Sequence, residues 1–139
     1  MESRITIITL GVDDLEKSVA FYRALGFTTE GIVGKEYEYG AVAFFELQNN
    51  LKLALWPRTS LAHDAGISPT PASSTDMALA HNVGSEKEVD EVMEQAEKAG
   101  AMITKPVGKT FYGGYAGYFQ DPDKHLWEIA WNPAWQTEE

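Results

Sequence analysis

The chain of 139 residues contains no cysteine, which removes thiol nucleophiles, disulfides and thiolate metal sites from consideration. Basic residues are scarce: 11 Lys and Arg stand against 21 Asp and Glu, a net charge of −10. Phosphate backbones are bound by basic stripes, so nucleic acid is not an expected partner. The acidic surface fits solubility, with a weak preference for cationic ligands. No apolar run approaches the ~18 residues that a membrane helix needs. Residues 1–14 hold an apolar stretch too short and too soon interrupted for a secretory leader. A soluble, cytoplasmic protein with no membrane partner is expected. The three histidines, His63, His81 and His125, form no legible Ser-His-Asp arrangement, and Ser60 and Ser68 lack a nucleophile-elbow context. The glycines between tyrosines at 112–118 are wrongly spaced for a phosphate loop.

What is present is a folding pattern. Apolar residues make up 44% of the chain, enough for a packed interior. Residues 4–12 are rich in β-branched side chains and predict a strand. Leu15, Val19 and Tyr22, with Ser18 and Leu25, recur at helical spacing. Asp14 is placed as the N-cap of that helix and Gly26 as its C′ residue. Strands follow at 27–33, 41–47 and 51–56, the last two joined tightly by Gln48, Asn49 and Asn50. The stretch 57–75 holds three prolines, four serines and three threonines with little periodicity, and reads as a connection.

The order then repeats. A strand at 77–83 precedes a capping box, Ser85 and Glu88, and a helix with Val89, Val92, Ala96 and Ala99 on its buried stripe. Gly100 closes it, and strands follow at 101–105, 115–119 and 125–131. The expected fold class is α+β: two tandem βαβββ modules forming a curved eight-stranded mixed sheet, helices on the convex face and a ligand cleft on the concave face. The modules are placed at 1–57 and 76–139, with 58–75 as linker, within one structural domain.

Residues 111–131, FYGGYAGYFQDPDKHLWEIAW, carry the strongest functional signal. An Asp-Pro-Asp turn at 121–123 leads into a strand that puts Leu126, Glu128 and Ala130 on one face and Trp127, Ile129 and Trp131 on the other. A carboxylate inside an apolar strand is costly to bury unless something meets it. Glu128 is therefore the candidate catalytic or ligand-binding group, with pairing to Lys, Arg or Tyr as its structural reading. Trp56, Phe45, Tyr112, Tyr115 and Tyr118 are candidate cleft walls, with sheet packing as the plain alternative. Glu46 is an alternative to Phe45, since adjacent residues face opposite ways. Gly113 and Gly114 are read as a mobile loop over the cleft or a tight turn. His81 is expected in the core, Asn82 on the cleft side, and His63 and His125 on the surface. The carboxylates of 86–100 read as a solvated helix face.

The segments GVDDLEKSVAFYRALGF at 11–27 and GYFQDPDKHLWEIAWNP at 117–133 resemble the vicinal oxygen chelate superfamily of glyoxalases, bleomycin-resistance proteins and extradiol dioxygenases. With the repeat, the resemblance covers nearly the whole chain. It implies the paired-module fold, a cleft and, in enzymatic members, a divalent metal held by His, Gln or Glu from the first and last strands of each half. Those positions fall here near Ile7, Ala54, Ala78 and Glu128, and only Glu128 is a ligand; Thr9 lies near the first position. One carboxylate does not hold a divalent ion, which needs about three protein donors. No cofactor is thus expected, with a divalent metal as the alternative. The resulting expectation is a metal-free protein binding a small organic ligand through Glu128, Trp56, Asn82, Tyr112, Tyr115, Tyr118 and Thr9. The alternatives are a metal-dependent lyase, isomerase or dioxygenase using Glu128, and a partner-binding protein with a vestigial cleft that uses residues 132–139. The resemblance also implies a homodimer.

Overall fold

A computed structural model of the chain describes residues 1–71 and 73–135. Two compact units divide after Pro71, and each is a βαβββ module with its own four-stranded sheet. The expected tandem repeat is present. Its eight strands form two ladders of four, ordered β1-β4-β3-β2 and β5-β8-β7-β6.

In the first unit, β1 (Ile7–Val12) lies parallel to β4 (Lys52–Pro57). Strand β3 (Val42–Glu46) is antiparallel to β4 and to β2 (Thr29–Val33). Helix α1 (Leu15–Ala24) starts where Asp14 accepts a hydrogen bond from the Lys17 amide at 3.1 Å. It buries Ser18, Val19, Phe21 and Tyr22. The Tyr22 ring stacks on Phe27 at 5.8 Å and meets Phe45 at 5.9 Å. Phe45 pairs with Leu53, and Ala43 with Leu55, so these residues share the α1 face with Leu10 and Val12. The opposite face of this sheet carries Ile7, Thr9, Lys52, Ala54, Trp56, Phe44 and Glu46.

The stretch read as a linker contains helix α2 (Arg58–Ala65), which packs on β1 and β4. It was not legible because its buried residues, Ser60 and Ala62, are small and lack an apolar stripe. Its first turn lies against β1, with Arg58 beside Gly11.

In the second unit, β5 (Ala78–Asn82) runs parallel to β8 (Leu126–Trp131), and β7 (Tyr115–Gln120) lies antiparallel to both β8 and β6 (Met102–Lys109). Helix α3 (Glu86–Ala99) is capped by Ser85, whose hydroxyl accepts from the Glu88 amide at 3.2 Å, while the Glu88 carboxylate reaches back to the Gly84 amide. Its buried stripe is Val89, Met93 and Ala96. Met93 takes the place expected for Val92. Below it, Phe119 and Trp127 stack at 6.1 Å beside Ile129.

The β7–β8 turn is organised around Asp121. Buried Asp121 accepts from the Asp123 amide at 2.9 Å and the His125 amide at 2.8 Å through Oδ1, and Oδ2 lies 2.7 Å from His125 Nδ1. His125, expected on the surface, is drawn in by this carboxylate, with 16% of its side chain exposed. No helix among the described residues is long and apolar enough to cross a membrane.

Two stability changes follow. Ser85→Ala removes the α3 cap and should cost about 1 kcal/mol in denaturant unfolding. Asp121→Ala strands one buried and one part-buried amide and should cost roughly 2–4 kcal/mol, with His125→Ala milder because the amide bonds survive.

Candidate functional site

Glu128 lies at the middle of β8 on the face turned away from α3. Tyr118 sits directly opposite it on β7, and Ala80 directly opposite on β5. The Tyr118 hydroxyl donates to Glu128 Oε2 at 2.9 Å. This bond meets the charge on an otherwise apolar strand, since a phenol bonded to a carboxylate is a strong neutral-to-anion pair. It also pushes the Tyr118 pKa above its usual 10; burial, the Glu128 charge and nearby Tyr112 act in the same direction. The second carboxylate oxygen, Oε1, has no donor among the described residues. Both residues are half-buried.

The rest of this face carries small and polar side chains and one leucine, Leu126. Ala78 and Ala80 precede Asn82 along β5, with Leu126 and Gln120 paired beyond Tyr118 and Glu128. Gln120 donates to the Ser74 hydroxyl at 3.0 Å, and Ser74 to the Lys124 carbonyl at 2.8 Å, which ties the entry to β5 over the end of β7. Asn82 is half-buried on this face, as expected.

Tyr115 is on the other side. It is three positions from Tyr118, so the pleat turns it toward α3, where its hydroxyl donates to Asp90 Oδ1 at 2.8 Å. That bond, followed by burial and the Asp90 and Glu86 charges, raises its pKa above 10. Phe45, a candidate cleft wall, is likewise fully buried against α1, and the alternative, Glu46, takes the open face. Tyr112 is 40% exposed in the β6–β7 hairpin. The Thr110 amide bonds the Gly114 carbonyl at 3.0 Å and the Thr110 hydroxyl accepts from the Gly114 amide at 2.9 Å, making a tight turn rather than a loose flap. Gly113 has φ +84°, and a Cβ on Gly114 would collide with the Trp131 carbonyl.

His81 shares the α3-side parity with Leu79, but β5 is an edge strand and the residue is exposed, not a core histidine. Its surface is open, yet neighbouring atoms crowd the ring enough that desolvation lowers its pKa below the usual 6.5. The shift favours a neutral ring on an exposed residue.

In the first unit, the face away from α1 holds Thr9 paired with Ala54, and Trp56 paired with Gly11. The Trp56 indole donates to the Tyr39 carbonyl at 2.9 Å, and the Tyr39 ring stacks on His63 at 4.0 Å. His63 is thus part of an aromatic cluster. On the same face lies a hollow of about 470 Å³ lined by Thr29, Gly31, Val33, Phe44, Glu46 and Lys52. Glu46 and Lys52 are a cross-strand ion pair at 3.5 Å. Phe44 and Lys52 were missed in the sequence, although alternation from Ala54 places them here.

Ile7, Ala54 and Ala78 bring no donor to the positions where the resemblance implies metal ligands. Among the described residues, no three His, Asp or Glu side chains are grouped to hold an ion.

The family model for the glyoxalase/bleomycin resistance protein/dioxygenase superfamily matches residues 4–129. Among solved structures, a glyoxalase-related enzyme from Fulvimarina pelagi is 37% identical, with a TM-score of 0.83 over 99% of this chain and 94% of that one. The fosfomycin resistance protein FosX from Listeria monocytogenes is 26% identical, with a TM-score of 0.69 over 95% of each chain. A lactoylglutathione lyase from Agrobacterium tumefaciens shares the fold at 23% identity, with a TM-score of 0.68 over 98% of each chain. No curated protein matches the sequence. The family match and the Fulvimarina relative, each spanning most of the sequence, establish that this chain belongs to the glyoxalase/bleomycin resistance protein/dioxygenase superfamily.

Proposed function

We propose that the chain binds a small organic ligand without a divalent metal, using Glu128 and Tyr118 on the open face of the second module. The observation that carries this reading is the Tyr118–Glu128 hydrogen bond beside Ala80. The pair presents an acceptor with a free oxygen and a fixed phenol, and the neighbouring alanines leave space without adding metal donors. Selective binding of a divalent ion takes about three protein ligands, and the donor set supports a site that selects by shape and hydrogen bonding. Asn82, and Tyr112 near Tyr118, are further polar contacts in this proposal. On the first module, taken by itself, Thr9, Trp56 and the hollow over Phe44 are the proposed ligand contacts.

A second reading is an enzyme in which Glu128 accepts a proton from the substrate and Tyr118 holds its carboxylate in place. It is favoured by the free Oε1 and by the relative described as an enzyme. The reading as a partner-binding protein rests on residues 132–139, of which 136–139 lie outside the described residues.

A thermal-shift screen with small organic molecules should find ligands that raise the melting temperature. Glu128→Gln should shrink that rise while leaving the ligand-free protein folded; an unchanged response removes Glu128 from the site. The pair also predicts a pH effect. The raised Tyr118 pKa means that the bond stabilises the fold fully below pH 10, the unfolded phenol value. That stability is lost as pH rises through the folded value. In a tyrosine-ring carbon NMR titration, Glu128→Gln should move the Tyr118 midpoint down toward 10.

A further inference from the structure

The other side of the second sheet carries a separate groove, between α3 and β6, of about 370 Å³. Its floor is Met93, Ile103, Pro106 and Val107. The β6–β7 pairing beside it is irregular. The β6–β7 register shifts twice, between Ile103 and Lys105 and between Lys105 and Gly108. Pro106, which has no amide proton to give to the ladder, sits in the second shift. Gly117 sets the depth: a Cβ there would come within 3.0 Å of both Met93 Cε and Val107 Cγ1. A Cβ there would press on both side chains from below.

The wall on the helix side is acidic. Asp90, Glu94 and Glu97 follow one another at i, i+4 and i+7 along α3. Asp90 is held in place by the Tyr115 hydroxyl. Glu94 and Glu97 make no ion pair among the described residues; Lys98 also lines the groove, is not bridged to either, and leaves the wall with an excess of negative charge. Nearby Lys109 is occupied by Glu86 and lies 5.9 Å over the Tyr115 ring. Like charges one turn apart repel by a few tenths of a kcal/mol, so the row gains from a cation. An apolar floor of flexible methionine and valine under an anionic wall fits a molecule with an apolar body and a positive end.

We propose that this groove is a binding site for a small amphipathic organic cation, its apolar body on Met93 and Val107 and its ammonium or guanidinium group against Asp90, Glu94 and Glu97. The volume fits a small molecule and not a folded partner. The site lies on the α3 side of the sheet, whereas Glu128 is on the opposite side, so the two proposals stand or fall separately.

The probe is 4-phenylbutylammonium, with 4-phenylbutanol as its uncharged counterpart, titrated into the amide-labelled full chain by NMR. The amine should shift the signals of Met93, Val107 and Gly117 and leave those of Tyr118 and Glu128 in place. The alcohol should bind more weakly, and added salt should weaken the amine. The surface double variant Glu94→Gln with Glu97→Gln keeps the helix and should weaken the amine by about tenfold, the sum of two partly screened charge contacts. Gly117→Ala should raise the floor and weaken amine and alcohol together. Absence of shifts at the groove, shifts centred on the Glu128 face, or equal binding of amine and alcohol by native and double-variant protein would each overturn the proposal.

Discussion

A half-buried carboxylate on a strand of apolar residues is stabilised by a donor from the strand beside it, and the central pairing of the second module supplies one. Tyr118 meets Glu128 from the neighbouring strand at 2.9 Å. The pairing depends on register. Tyr118 faces Glu128 only because Gln120 faces Leu126 and Tyr115 faces Trp131 across the same hairpin. A slip of one residue would turn Glu128 into the core and bring Trp127 out. Asp121 prevents that slip from the turn, fixing the amides of Asp123 and His125 with one buried carboxylate. The acid at the turn therefore positions the acid on the face, although the two do not touch.

The same sheet gives two different surfaces because a strand alternates. On one side Glu128, Tyr118 and Ala80 make a shallow face with few polar groups. On the other, Gly117 and Tyr115 face α3: the glycine lowers the floor and the tyrosine holds Asp90. The first module follows the same plan with different contents. Aromatic rings from Tyr22, Phe27 and Phe45 fill the α1 side, and the outer side carries Thr9, Ala54 and Trp56 with the Glu46–Lys52 ion pair.

Local signals were legible in the sequence. The Ser85–Glu88 box, the Asp14 cap, the Asp-Pro-Asp turn and the order of elements in each half are written over a few residues, and the structure has them. Glu128 stood out because a charge interrupts an apolar alternation. Other features depend on pairing across strands. Tyr115 and Tyr118 were both assigned to the ligand wall, although a spacing of three puts them on opposite faces. Of the two readings of Phe45, cleft wall or sheet packing, its parity with Leu53 and Leu55 selects the core, and Glu46 takes the other face. His81 was expected to be buried, but that needs cover over β5, which is an edge strand of its sheet. Helix α2 had no apolar stripe to announce it. The α3–β6 groove lies beside two register shifts in the β6–β7 ladder, which depend on pairing across strands and were not read from the sequence.

The claim that the donor set selects by shape rather than by coordination is tested most directly by metal content. The purified protein, incubated with manganese, nickel, zinc or iron(II) and then desalted, would be assayed by elemental mass spectrometry alongside Glu128→Gln. The account predicts that no metal is retained at one ion per chain and that the two proteins are alike. Retention of one ion per chain by the native protein, lost in the variant, would contradict it.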